Sequence, residues 1–224
     1  MTSDNPNWRP KAIVFDLLTA LLDSWTLWHA STPSKQTEEG RRWRKQYLEL
    51  TFGAGAYSSS SAAYESLVEQ AARDVGLPYT APAALLQNWQ QLQAWPEVAR
   101  VLPELQRQGY KLGVVTNCSA ELGHGAVRRA EEYVGGGFKF DAAVTAEESG
   151  FYKPVRAAYE AILPRLDVQV DEILFVAGSA GDVQGATDAG MKVVWHNRVG
   201  LAKKGDAVAM REGKTLDEAL HGFL

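Results

Sequence analysis

The stretch Lys11-Ala-Ile-Val-Phe-Asp-Leu-Leu-Thr-Ala-Leu-Leu-Asp23 decides the fold. Ala12 to Phe15 is a short apolar run behind Pro10 and a polar tail, a pattern that reads as a strand buried on both faces, as in a parallel sheet. Asp16 ends the run. A carboxylate there adds nothing to packing, but open α/β sheets bind their ligands at the carboxyl edge of their strands. An Asp in this place also caps turns, so the rest of the chain has to decide between the two roles.

Residues 24 to about 95 hold no convincing strand and read as a helical insertion. Helical spacing is visible over Thr37 to Phe52, Ala62 to Val75 and Pro82 to Leu92, with a Gly/Ser-rich loop at Gly53–Ser61 and a boundary at Trp95-Pro96. From Glu97 strands and helices alternate. Strands are expected at Lys111–Asn117, Phe140–Thr145, Glu172–Ala177 and Met191–Trp195. Helices are expected at 98–108, 120–134, 153–166 and 182–189. Such alternation builds a parallel sheet covered on both faces. The fold class is therefore α/β: a Rossmann-like core from 1–23 and 96–224, carrying an inserted helical cap domain, 24–95.

Polar residues follow four successive strands: Asp16; Thr116 and Asn117; Ser149 to Lys153; Ser179 and Asp182. A parallel sheet brings all of them to one edge, which moves Asp16 from turn capping towards chemistry.

Composition narrows the class. The 224 residues are 46% hydrophobic and 22% charged with net charge -4, which suits a globular protein and suggests no nucleic-acid or anionic-membrane surface. The densest positive spot is Arg41-Arg42-Trp43-Arg44-Lys45. Cys118 is the single cysteine, so neither an intramolecular disulfide nor a Cys-based zinc site can form. Met1 to Lys11 is polar, unlike a signal peptide, and no apolar run approaches the ~20 residues of a membrane span, so a cytoplasmic protein is expected.

Val14-Phe-Asp16, Val115-Thr-Asn117, Tyr152-Lys-Pro154 and Phe175-Val-Ala-Gly-Ser-Ala-Gly-Asp182, in this order, resemble the haloacid dehalogenase superfamily. Phosphatases of that superfamily carry an acid/base Asp two residues after the nucleophile, where this chain has Leu18. They also carry a magnesium-binding Asp where it has Gly178. A leaving alkoxide lacks its proton donor and a hard cation lacks an oxygen ligand. The chain is more similar to the 2-haloacid dehalogenase branch, which uses no metal or other cofactor. Trp43-Arg-Lys-Gln-Tyr-Leu-Glu49 resembles that branch's cap helix.

The resemblance implies a hydrolase acting on a small 2-substituted carboxylic acid. Asp16 would be the nucleophile and Lys153 its counter-charge. Asp182, with Ser179, would position water, and Arg44 would receive the departing anion. Thr116, Asn117, Leu18, Leu48 and Tyr159 would meet the substrate. A homodimer is a further candidate arrangement, with cap tryptophans among Trp25, Trp28, Trp43, Trp89 and Trp95 serving as packing, pocket roof or dimer contact.

There are departures. Thr19-Ala20 stands where the family has Gly-Thr, so the hydroxyl comes one position early and its reach to Asp16 is open. Ala177 and Ser179 replace Ser and Asn, and Leu18 and Gly181 replace aromatic walls. These leave an azetidine-2-carboxylate hydrolase, a phosphatase and an inactive binding protein as alternatives. Cys118 reads as a packing residue, His196 as a loop or pocket-edge residue, and His29, His124 and His221 as surface residues. Glu147-Glu148 reads as a solvated loop pair.

Overall fold

A computed structural model describes residues 8–60 and 62–224. The first seven residues of the polar tail, and Ser61 at the end of the Gly/Ser stretch, lie outside the described residues. Strand β1 (Ala12–Phe15) opens the chain and is buried throughout. The insertion follows as α1 (Ser24–Ala30), α2 (Thr37–Gly53), α3 (Tyr64–Asp74), α4 (Thr80–Gln87) and a 3-10 turn at Trp89–Gln91. The chain then runs through α5 (Val98–Arg107), β2 (Lys111–Thr116), α6 (Ala120–Val134), β3 (Ala142–Thr145), α7 (Ala146–Ser149), α8 (Arg156–Glu160) and α9 (Leu163–Leu166). It ends with β4 (Ile173–Ala177), α10 (Ala180–Asp188), β5 (Lys192–His196), β6 (Arg211–Gly213) and α11 (Leu216–Ala219).

The six strands form one sheet, ordered β3-β2-β1-β4-β5-β6, with every pairing parallel. β1 lies between β2 and β4, with Phe15 level with Val114 on one side and Val176 on the other. The chain builds outward to β3 on one side, then returns to build β4 to β6 on the other. Asp16 therefore sits where the strand order reverses, the place at which such sheets open a crevice.

One face of the sheet packs Val14 and Phe175 against Tyr159, Ile162 and Val183. The other face packs Ile13, Phe15 and Leu174 into a cluster continuous with Trp28, Trp43, Tyr47, Tyr64 and Trp89 of the insertion. All five tryptophans named above are buried, from 0% to 8% exposed, so in this chain they pack inward and present no contact surface. Burying each such ring stabilises the fold by roughly 1.5–3 kcal/mol.

The insertion enters and leaves the sheet by two adjacent segments. Asp23 N donates to Gln93 O (2.8 Å) and Trp95 N to Leu21 O (2.9 Å). The expected loop at 53–61 forms a third tie: Tyr57 N donates to Gly150 O (2.9 Å) and Tyr152 N to Gly55 O (2.8 Å).

Several boundaries differ from expectation. The helix expected over 153–166 breaks into α8 and α9 because Pro164 has no N–H to return to Glu160. The helix expected over 82–92 runs instead from Thr80 to Gln87, where both the backbone and the side chain of Asn88 close on Ala84 O. β6, α7 and α11 were not expected. Among the described residues no helix is long and apolar enough to cross a membrane.

Candidate active site

The turn after β1 is the centre of the site. Asp16 Oδ2 accepts from Thr19 N (3.0 Å), Thr19 Oγ1 (2.5 Å) and Ala20 N (3.3 Å). The early hydroxyl thus does reach the carboxylate. It does so because the turn lies hard against the end of β4, where a Cβ on Gly178 would collide with Thr19 Oγ1 and Ala20 N. The two departures, at 19–20 and at 178, fit each other. The turn is pinned from outside by Ser24 Oγ on Leu18 O (2.5 Å), Trp95 Nε1 on Thr19 O (3.0 Å) and His196 Nδ1 against Ala20 O (2.8 Å). His196 is accordingly no loop residue: it ends β5, fully buried, and burial lowers its pKa.

Asp16 Oδ1 takes one hydrogen bond, from Lys153 Nζ at 2.8 Å. Lys153, 1% exposed, also donates to Asp182 Oδ2 at 3.1 Å, so a single ammonium stands between two buried carboxylates. Its main chain is clamped by Asn117, which accepts from Lys153 N (2.7 Å) and donates to Lys153 O (3.1 Å). Asp182 lies in the first turn of α10. It accepts from Ser179 Oγ (3.0 Å) and, on Oδ1, from Tyr159 Oη (2.9 Å).

The charges follow from this geometry. Burial pushes the Asp16 carboxyl up, but Lys153 and the Thr19 hydrogen bonds outweigh it and hold Asp16 below its ordinary value. For Asp182 burial wins, helped by the Asp16 charge, and its pKa lies above the ordinary value. Burial lowers the Lys153 pKa, yet the two carboxylates raise it further, so it stays protonated.

The opposite wall comes from α2. Arg44 is 1% exposed, and its guanidinium carbon lies 5.0 Å from the ring centres of Trp28 and Tyr47 and 5.8 Å from Trp25. Nη2 donates to Ser24 Oγ (3.1 Å), while Nε and Nη1 are buried with no partner among the described residues. Its neighbours in the sequence, Arg41, Arg42 and Lys45, face solvent.

Asp16, Leu18, Arg44, Leu48, Thr116, Asn117, Lys153, Ser179 and Asp182 line one cavity of about 20 Å³. Thr19, whose reach the sequence leaves open, lines it too, as do Tyr47, Thr51 and Phe52, which the sequence does not single out as site residues. Arg44, Leu48 and Phe52 recur every four residues, and Tyr47 and Thr51 fall on the same face, a helical stripe present in the sequence.

Tyr159 is a correction. It is fully buried behind Asp182, its ring edge against Phe175, and holds the carboxylate without facing the cavity. Asn117 reaches the cavity, but its side-chain amide is engaged with Lys153. Cys118 is buried and burial pushes its thiol up to about 12, which suits packing and no nucleophilic role. His29 and His124 are half-buried, the latter against Glu148, and only His221 is exposed. Glu147 and Glu148 are exposed as expected but structured: Glu147 accepts from Ala120 N (2.7 Å), and Glu148 completes a capping box with Thr145.

A divalent cation does not fit here. Lys153 occupies the space between the two carboxylates, and Gly178 has no room for a third. Among the described residues no group of three His, Cys, Asp or Glu side chains converges.

A six-stranded parallel sheet with an acid at its switch point, a buried lysine beside it and a helical insertion over it defines a class, and a family model confirms that class. The model described as haloacid dehalogenase-like hydrolase matches residues 13–196, and the chain belongs to that family. The (S)-2-haloacid dehalogenase of Pseudomonas sp. (strain YL) is 29% identical over 198 residues, which span 85% of this chain and 84% of the relative. Haloacetate dehalogenase H-2 of Moraxella sp. (strain B) is 28% identical over 200 residues, spanning 86% and 88%. The structure of the L-2-haloacid dehalogenase from Xanthobacter autotrophicus with chloropropionic acid covalently bound is similar at a TM-score of 0.71 and 25% identity, covering 85% of this chain and 78% of that one.

Proposed function

We propose that the protein is a hydrolase that displaces halide from C2 of a short (S)-2-haloalkanoic acid through an ester on Asp16, with the helical insertion as the cap over the reaction. The observation that carries this reading is Arg44. Buried N–H groups are almost always hydrogen-bonded, yet two nitrogens of this guanidinium, Nε and Nη1, have no partner among the described residues, and Arg44 lines the same cavity as Asp16. A departing anion would satisfy them.

The unequal oxygens of Asp16 divide the labour. Oδ2 is saturated by three donors, whereas Oδ1 keeps a free lone pair. Oδ1 attacks C2, the carbon–halogen bond breaks, and halide leaves with the electron pair towards Arg44. The ester carbonyl is then Cγ=Oδ2, already held by Thr19 and Ala20. Asp182 takes a proton from water, which attacks Cγ. The oxyanion grows on Oδ2 where its donors are in place. Cγ–Oδ1 then breaks, Lys153 stabilises the leaving alkoxide, and the Asp182 proton completes the 2-hydroxy acid; the water's second proton, left on the Asp16 carboxyl, is released to solvent and restores the carboxylate. Water oxygen stays in Asp16. The steps run on these side chains alone.

Turnover in oxygen-18 water under single-turnover conditions tests the reading. Label is expected in the Asp16 carboxylate, and label confined to the product would overturn it. The panel is (S)- and (R)-2-chloropropionate, fluoroacetate, azetidine-2-carboxylate and a phosphate ester.

Arg44→Ala is expected to lower kcat/KM by on the order of 10²–10³-fold, the cost of removing one charged stabiliser from an enclosed site. Halide-release kinetics beside thermal melting check this, and a purely thermal effect would reduce Arg44 to a packing residue.

Tyr159→Phe is expected to move the acid limb of the kcat–pH profile to higher pH. Asp182 must be ionised to take the water proton, burial already raises its pKa, and the Tyr159 hydrogen bond opposes that rise. An unshifted limb would detach Asp182 from the hydrolytic step.

A further inference from the structure

Beside the catalytic cavity lies a second, larger one of about 230 Å³ that opens to solvent between α2 and the segment 201–204. The two spaces share Leu48, Phe52 and Ser179 as walls. Phe52 makes the partition tight. Its ring atoms stand 2.6, 2.7 and 3.2 Å from where a Cβ on Gly181 would be, so the ring lies on bare backbone of α10 in space that any other residue at 181 would claim. The ring is carried by α2, the helix that also carries Arg44. At the mouth, Lys45 lines the outer cavity, and Lys204 reaches across to Glu49 at 2.9 Å. Both partners of that ion pair are more than half exposed, so it is weak and easily parted.

We propose that Phe52 is the gate between the two cavities and the residue that limits the length of the C2 side chain of the acid. A substrate anion enters past Lys45 and Lys204. Phe52 then closes on Gly181 and leaves room beside Asp16 for only a short chain. Without the ring the two spaces merge, and an alkyl chain on C2 extends into the outer cavity. The proposal rests on the dehalogenase reading for its substrate class, while the partition itself is a matter of shape.

Two halogen-free acids separate binding from chemistry. Propionate and hexanoate are titrated by tryptophan fluorescence against the wild type, Phe52→Ala and Phe52→Leu. The same variants are assayed with 2-chloropropionate and 2-chlorohexanoate. Phe52→Ala is expected to raise the hexanoate-to-propionate affinity ratio about tenfold or more, as for other changes of a few methylenes in an apolar pocket. The kcat/KM ratio should follow, with the gain in KM and not in kcat, and Phe52→Leu should fall between. If Phe52→Ala does not fold, Phe52→Leu carries the comparison. A ratio unchanged within about twofold, or a folded variant that does not bind hexanoate, overturns the gate. A wild type that turns over neither chloro acid overturns the dehalogenase reading instead, and the binding ratio still decides on Phe52.

Discussion

Asp16→Asn should lower kcat on the order of 10⁴-fold or more, because an amide offers no anionic oxygen to C2, and the cavity's other carboxylate, Asp182, is held by Lys153, Ser179 and Tyr159. The packing around the turn should survive. The amide oxygen can keep the three donors now on Oδ2, at Thr19 and Ala20. The amide nitrogen then faces Lys153 Nζ across the present 2.8 Å, donor against donor. One lost hydrogen bond of that kind costs about 1–3 kcal/mol, so the variant should melt lower yet remain folded. Halide release, intact-protein mass spectrometry for the ester and a thermal melt read the three consequences together. A well-folded variant with full turnover would remove Asp16 from the chemistry.

Lys153→Met is expected to damage both activity and fold. Among the described residues the ammonium is the one counter-charge touching Asp16 and Asp182, both of which are almost fully buried. Removing one partner of a buried ion pair costs about 3–5 kcal/mol, because the charge left behind has no water to return to. Here two like charges remain, and one of them must take up a proton. Stability should therefore change with pH in a definite direction. In the intact site Asp16 is held below its ordinary pKa, so its contribution is present at neutral pH and fades only as pH falls through its folded value. In the variant the carboxylate pair binds a proton more tightly folded than unfolded. Lowering the pH from 7 towards 5 should then recover part of the lost stability. Denaturant melts at both pH values check the sign, and a variant equally stable at pH 7 and 5 would mean that the carboxylates have found other partners. Activity should stay absent at either pH, since a protonated Asp16 is no nucleophile and a protonated Asp182 is no base for the water.

Much of the framework was legible along the chain. β1, β2, β4 and β5 are short apolar runs that end in polar residues, and a parallel sheet leaves few other ways to arrange them. Asp16 follows from that, because it comes just after β1; Lys153 and Asp182 lie beyond the ends of β3 and β4, and it is the resemblance of Tyr152-Lys-Pro154 and of the 175–182 stretch that singles them out. Arg44 was harder. It sits in a run of cations of which Arg41, Arg42 and Lys45 do face water, and only the likeness of 43–49 to the family's cap helix singles it out. What stayed hidden depends on pairs of positions far apart in sequence. Thr19 looked misplaced until Gly178 proved to make room for it. Phe52 and Gly181 were unremarkable letters until one filled the space of the other. Tyr159 was assigned to the substrate, but its register in α8 turns it behind Asp182. β6 carries Arg, Glu and Gly, and three residues at a sheet edge leave no apolar signal to read.

The contact between the Thr19 turn and Gly178 also bears on ancestry. Any larger letter at 178 meets the occupied turn, and withdrawing the hydroxyl at 19 alone strips Asp16 of its shortest hydrogen bond. Exchanging residue 19 alone would open no space at 178, because Ala20 N and Thr19 C of the turn's backbone stand there too. A descendant with a side chain at 178 therefore has to re-route the main chain after β1, not merely swap one hydroxyl.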